Sequence, residues 1–427
     1  MLIYLLSLFT FYIPDISPQD KVILYIFIFS VCFFLCSVLY FRNRRKTDIG
    51  FREVLIIAAA LRAALLFSAP VTSDDYYRYL WDGKVQSEGI DPFLFSPLEL
   101  TSLHDNVIYP GVTFPEVKTI YPPVSQIIFY LAYQISPGNT FGLKLLYLLF
   151  DIGTMIFLSA SVLKLKLNPA GILLYAFSPL VILEFFLNAH VDVILIFFLS
   201  GSLYFTLKRN IQPALLFLGF SVLSKTYSLI FLPVIILFFV RDKLSFTKAV
   251  KNIICFILPF TVVIFYREGI MNLFQVMGNY MKHWYNNNLI YKSVLYVTEM
   301  FGVNDHALTR EILIILFAVS FLIILFSRTD LIKTVTFITI FYFLFSHTVH
   351  PWYLTVLAML LPLYFSHASF YWTGIIGLTN LTVFFYLKYG IWDDALPVLI
   401  IEYAGVIIFL LYDFRKIKLN KPEIITQ

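Results

Sequence analysis

Two adjacent carboxylates, Asp74 and Asp75, lie at the start of the stretch SDDYYRYLWDGKVQ, residues 73–86, directly after an apolar segment. Carboxylates held side by side at a low-dielectric boundary repel, which raises the pKa of one of them towards that of a useful general base. The same pair suits a divalent cation, because hard cations take oxygen ligands. Read as a helix, the stretch places Asp75, Arg78, Tyr79 and Asp82 along one face. Tyr76, Tyr77 and Trp81 are aromatics of the kind that settle at a membrane interface. By itself the stretch is explained equally well as an amphipathic surface helix with a solvated i,i+4 pair between Asp74 and Arg78.

Other polar islands in an apolar chain tip the balance towards chemistry. NAHVD at 188–192 supplies Asn188, His190 and Asp192, where a plain turn needs only Gly, Pro or Asn. Lys225 interrupts the apolar run LSKTYSLIFLP, and an ionisable group at membrane depth is costly unless it faces a cavity or a ligand. SHTVHPWY places His347 and His350 beside Trp352 and Tyr353. NYMKHWYNNNLIYKSVLY, 279–296, carries Trp284 and Asn287 in an amide- and aromatic-rich setting that suits a sugar as well as an interface. Glycine-rich nucleotide loops, zinc-type His/Cys spacing and a GxSxG elbow are all absent. Cys32, Cys36 and Cys255 sit singly in apolar runs and form neither a disulfide framework nor a metal site.

The elements that must position these groups are membrane helices. Sixty per cent of the 427 residues are hydrophobic, only 13% are charged, and the mean hydropathy is +0.83. Apolar runs of roughly 15 to 23 residues recur along the whole chain, about the length that spans a bilayer as a helix. They predict an all-α polytopic integral membrane protein with 13–14 spans, the opening MLIYLLSLFTFYI being a short first span. Most of the 31 basic residues cluster in 42–52, 164–166, 208–209, 241–251, 328–333 and 415–421. Assigning these loops to the cytoplasm puts both termini inside. The opposite face receives two long loops, 71–140 and 267–307, together with NAHVD, Lys225 and HPWY. The segment 121–135 breaks this pattern if it spans, so it is expected to be a re-entrant or surface-lying helix. The net charge of +5 follows from this topology and does not indicate a nucleic-acid partner.

The loop motif DDYYRYLWDGKVQSEGIDPF, YPP at 121–123, NAHVD, the mid-membrane Lys225, the Trp/Tyr/Asn loop and HPWY together resemble the GT-C superfamily of polyprenyl-phosphate-sugar-dependent glycosyltransferases. The likeness is nearest to bacterial mannosyltransferases and covers nearly the whole chain in element order. It implies a single transmembrane domain over 1–427 in a bacterial plasma membrane, with the active site on the extracytoplasmic side. It further implies an Asp at the start of the first outer loop as catalytic base. Asp74 and Asp75 both offer themselves, and the tyrosines two and four positions on favour Asp75.

Glycosyl transfer with inversion needs one carboxylate to take the acceptor proton while the leaving group departs from the opposite face. A lipid phosphate needs cations to leave, and Lys225, Arg78 and a charged His350 are the candidates. Tyr79, Asp82, Tyr121, Asn188, His190, Asp192, Trp284, Asn287, Trp352 and Tyr353 are the expected substrate-binding residues. The expected partners are a polyprenyl-phosphate sugar donor, a lipid or glycan acceptor and membrane lipids. A site without metal or other cofactor is expected, with a divalent ion at the Asp pair as the alternative. Two rival functions are a flippase or transporter of lipid-linked sugars, for which internal symmetry is missing, and an O-antigen-type polymerase or ligase.

Overall fold

A computed structural model describes residues 1–46, 49–241, 245–303, 305–327 and 329–419. Parts of the basic loops, at 47–48, 242–244, 328 and 420–421, lie outside the described residues. The described chain is helical throughout, with a lone parallel bridge between Asn286 and Thr348. It is a polytopic integral membrane protein, as its composition requires.

Fewer helices than expected are long enough to cross a bilayer unaided. Among the described residues, Pro18–Asn43, Phe141–Lys164, His306–Phe326, His367–Tyr389 and Leu396–Lys416 pass by length and composition. Two bent pairs, Pro169–Ala176 with Pro179–Leu187 and Ile253–Tyr266 with Ile270–Asn279, bring the number to seven if each is one span, against the 13–14 expected. The remaining apolar runs form shorter helices such as Asp192–Leu207, Ile211–Ser224 and Leu331–Phe345. Hydropathy counts apolar residues and does not see where proline or a polar group ends a hydrogen-bonded ladder. Ser17 and Pro18 show how such an end is built. Proline occupies the first turn, where its missing N–H is harmless, and the Ser17 hydroxyl accepts the amide of Asp20 at 3.3 Å.

The loop stretch that opened the sequence reading is a helix, Asp75–Ser87, packed against the helix Pro123–Ile135. At 1.5 Å per residue the latter is about 20 Å long, short of the ~30 Å hydrocarbon core. Gly83 lets the two backbones meet, since a Cβ there would lie 2.5 Å from the Phe129 carbonyl oxygen. Gly83→Ala is therefore expected to destabilise the protein by about 1–3 kcal/mol through overpacking. Thermal unfolding in detergent checks this, and a variant as stable as wild type would show that the pair is not close-packed.

Candidate functional site

Asp75 begins the loop helix, and its backbone amide donates to Ser73 Oγ at 3.2 Å. What fixes the segment before it is Asn188, from the NAHVD turn. Asn188 Oδ1 accepts the amides of Val71 (3.1 Å) and Thr72 (3.2 Å), and Nδ2 donates to Thr72 Oγ1 at 2.7 Å. Asn188 was expected to touch substrate. It is fully buried and holds the segment that leads into the Asp75 helix. Asn188→Leu strands the amides of Val71 and Thr72, the second of them buried, and the expected cost is about 1–3 kcal/mol. The check is a fall in melting temperature together with a loss of activity; an unchanged melting temperature would remove the tie from the account.

Tyr79, one turn after Asp75, stacks on Phe129 with centroids 4.6 Å apart and meets Tyr121 edge-on at 4.9 Å. Its hydroxyl lies 3.5 Å from Asp75 Oδ2. Burial, and next the neighbouring Asp74 carboxylate, push Asp75 up to about 7 even though a third of its side chain is open. Asp74 lies outward of it at the exposed N-cap position and caps nothing with its side chain.

His190 stands behind Asp75. Its Nδ1 is 3.8 Å from Asp75 Oδ2 and its Nε2 is 3.3 Å from Glu184 Oε2, and both buried nitrogens lack a hydrogen bond. Burial holds the imidazole well below its ordinary pKa, so it is neutral at physiological pH. The backbone delivering it is strained, because Ala189 takes a φ of 61°, a left-handed conformation unusual for a residue with a side chain. Sequence reading missed Glu184. It lies in a π-helical turn, Leu183–Leu187, and accepts from the Tyr25 hydroxyl at 2.5 Å and from Asn188 Nδ2 at 3.3 Å. A lone carboxylate in VILEFFLN was its signal, and π-turns often mark functional sites.

Lys225 reaches the same region. Its ammonium donates to Asp192 Oδ1 at 2.6 Å, sits 4.1 Å over the Tyr353 ring, and acts electrostatically on Asp75. Trp352 stacks between two imidazoles, 3.7 Å from His190 and 4.3 Å from His350. Trp284 closes the group by donating Nε1–H to His350 Nε2 at 3.3 Å. Residues from 75 to 353 thus meet in one cluster, in which the Asp75 carboxylate and the Lys225 ammonium stay partly open beside aromatic rings.

Four of the expected residues are engaged with protein partners. Asp82 is buried, and its carboxylate is taken up by Arg78 Nε (2.9 Å), Thr119 Oγ1 (2.5 Å) and Gln126 Nε2 (2.8 Å). It locks the loop helix to its neighbour. Arg78 pairs with this Asp82, not with Asp74, and also donates to the Val117 carbonyl at 2.8 Å. His350 is held by burial down at about 3, so it is no cation, and its Nδ1 lies 3.2 Å from the Asn286 amide. Asn287 is buried, with its amide group directed at the Val349 carbonyl (3.3 Å) and Glu402 (3.2 Å), and it anchors the Trp/Tyr/Asn segment to the C-terminal helix. Among the described residues no three or more His, Cys, Asp and Glu side chains are grouped to hold a metal ion.

Residues 12–241 match the family described as alpha-(1->6)-mannopyranosyltransferase, N-terminal domain. No curated protein matches the chain.

Proposed function

The chain belongs to the alpha-(1->6)-mannopyranosyltransferase family, and from that premise we propose that it moves a mannosyl group from a polyprenyl-phosphate donor to a lipid or glycan acceptor, with inversion, on the extracytoplasmic side. Membership makes it a glycosyltransferase of the mannosyltransferase type; the donor, the side and the base are our reading. The observation that carries it is Asp75, a partly open carboxylate raised to about 7 in the same cluster as the Lys225 ammonium.

In this scheme the acceptor hydroxyl gives its proton to Asp75 as its oxygen bonds to the sugar C1. The bond from C1 to the phosphate oxygen breaks on the opposite face, and the electron pair leaves with the lipid phosphate. Lys225 balances the charge that develops there. Tyr353 and the edge of Trp352, whose two faces are taken by His190 and His350, border the sugar. His190 faces the back of Asp75 and, backed by Glu184, positions it. The basic-residue distribution supports an extracytoplasmic site with both termini on the cytoplasmic side.

The test is transfer of radiolabel from polyprenyl-phosphate mannose into a membrane-lipid extract by purified protein in nanodiscs, with and without chelator. Label in a new product supports the proposal. Consumption that stops with chelator alone makes the Asp pair a metal site. Movement of labelled lipid across proteoliposomes without transfer points to a flippase.

The pH dependence has a definite sign. Only the ionised carboxylate accepts a proton, so with the Asp75 pKa at about 7, kcat/KM is expected to rise about tenfold per pH unit below that value and to level above it. A profile flat from pH 5 to 8, measured by initial transfer rates, would remove Asp75 as a base titrating near neutrality.

A further inference from the structure

Far from Asp75, a groove of about 670 Å³ opens between the helix Pro18–Asn43 and the helices His367–Ile375 and Leu396–Leu419. That volume lies within the roughly 300–1,000 Å³ range of small-molecule sites. Its walls are rings packed on one another. Phe33 meets Phe370 at 5.1 Å, Tyr40 stacks on Phe365 at 5.3 Å, and Tyr371 meets Phe409 at 5.2 Å. Gly374 is required there, since a Cβ would lie 2.3 Å from the Phe33 ring.

The groove's charges all have one sign. Among the described residues Arg44 and Lys416 line it and no Asp or Glu does, and the Arg44 guanidinium sits 5.1 Å over the Phe41 ring. The nearby Asp413 is consumed internally, accepting from Ser366 Oγ (2.8 Å), His367 Nδ1 (2.7 Å) and the amides of His367 and Ala368 (both 3.2 Å). This end of the bundle carries the basic loops assigned above to the cytoplasm. It is also remote from the site, since Tyr25, which bonds Glu184, and Arg44 lie about 28 Å apart along one helix.

We propose that this groove binds an anionic glycerophospholipid of the cytoplasmic leaflet. Its phosphate would lie between Arg44 and Lys416, and an acyl chain would lie along the aromatic wall. Two basic residues over an apolar slot at headgroup depth complement a lipid of net negative charge better than a zwitterionic one, whose phosphate is already countered by its own ammonium. A polyprenyl-phosphate donor is the poorer fit, because its phosphate has to reach Lys225 at the other end.

Native mass spectrometry of the detergent-purified chain with phosphatidylglycerol, phosphatidylcholine and polyprenyl phosphate tests this without reference to transferase activity. Phosphatidylglycerol is expected to be retained over phosphatidylcholine, and R44Q/K416Q to weaken it roughly 10- to 30-fold. The exposed basic pair of another loop serves as control, and K208Q/R209Q is expected to leave retention unchanged. Circular dichroism confirms that both variants are folded. A diazirine on the acyl chain is expected to label peptides spanning 365–371. Equal retention of phosphatidylcholine, equal loss in the control variant, labelling elsewhere, or preference for polyprenyl phosphate would each overturn the proposal.

Discussion

Asp75→Asn is expected to lower the transfer rate by about 10²- to 10⁴-fold, the range for loss of a positioned general base, while Asp74→Asn stays within a few-fold of wild type. The contrast follows from where the two carboxylates sit. Asp75 faces His190 and the Tyr79 hydroxyl, whereas Asp74 is exposed at the helix start. Asparagine keeps the size of the side chain and removes its basicity, so the fold should survive. Single-turnover rates on pre-bound donor check this, with thermal unfolding alongside. The roles reverse if Asp74→Asn carries the loss, and the base assignment fails if neither variant loses more than tenfold. Asp75→Asn should also abolish the titration near pH 7, a readout that a structural role would not move.

Lys225→Met is expected to cost about 10²- to 10³-fold in kcat, as removal of a charge stabiliser does, and to destabilise the protein by about 3–5 kcal/mol because it leaves Asp192 buried and unpaired. The two effects are separable. Lys225→Met with Asp192→Asn removes both charges and should recover much of the stability without recovering the rate. Lys225→Arg keeps a cation and should retain more activity than Lys225→Met. If the double variant regains wild-type rates, Lys225 serves only to neutralise Asp192, and the leaving phosphate has another partner. Tyr353 lies under the ammonium at 4.1 Å, which helps to keep it in place once Asp192 is gone.

The all-helical membrane architecture was legible in the sequence, because apolar run length and scarcity of charge are properties of the chain itself. The conspicuous polar residues were legible for the same reason. Asp75, His190 and Lys225 stand out because an ionisable group in such surroundings is costly. What each does with its hydrogen bonds was not legible, since partners are chosen by packing between distant segments. Asn188 reaches 116 residues back to Thr72, and Asp82 reaches forward to Thr119 and Gln126, so the protein partners of both lie far off in the sequence. Glu184 escaped notice because one acid in an apolar run gives no periodic signal, and only the bend around the π-turn sets it against His190. The number of full-length spans was likewise decided in three dimensions. Residue type determined which side chains are too costly to place idly in this membrane protein; tertiary packing determined which are satisfied by neighbours and which, like Asp75, are left partly open.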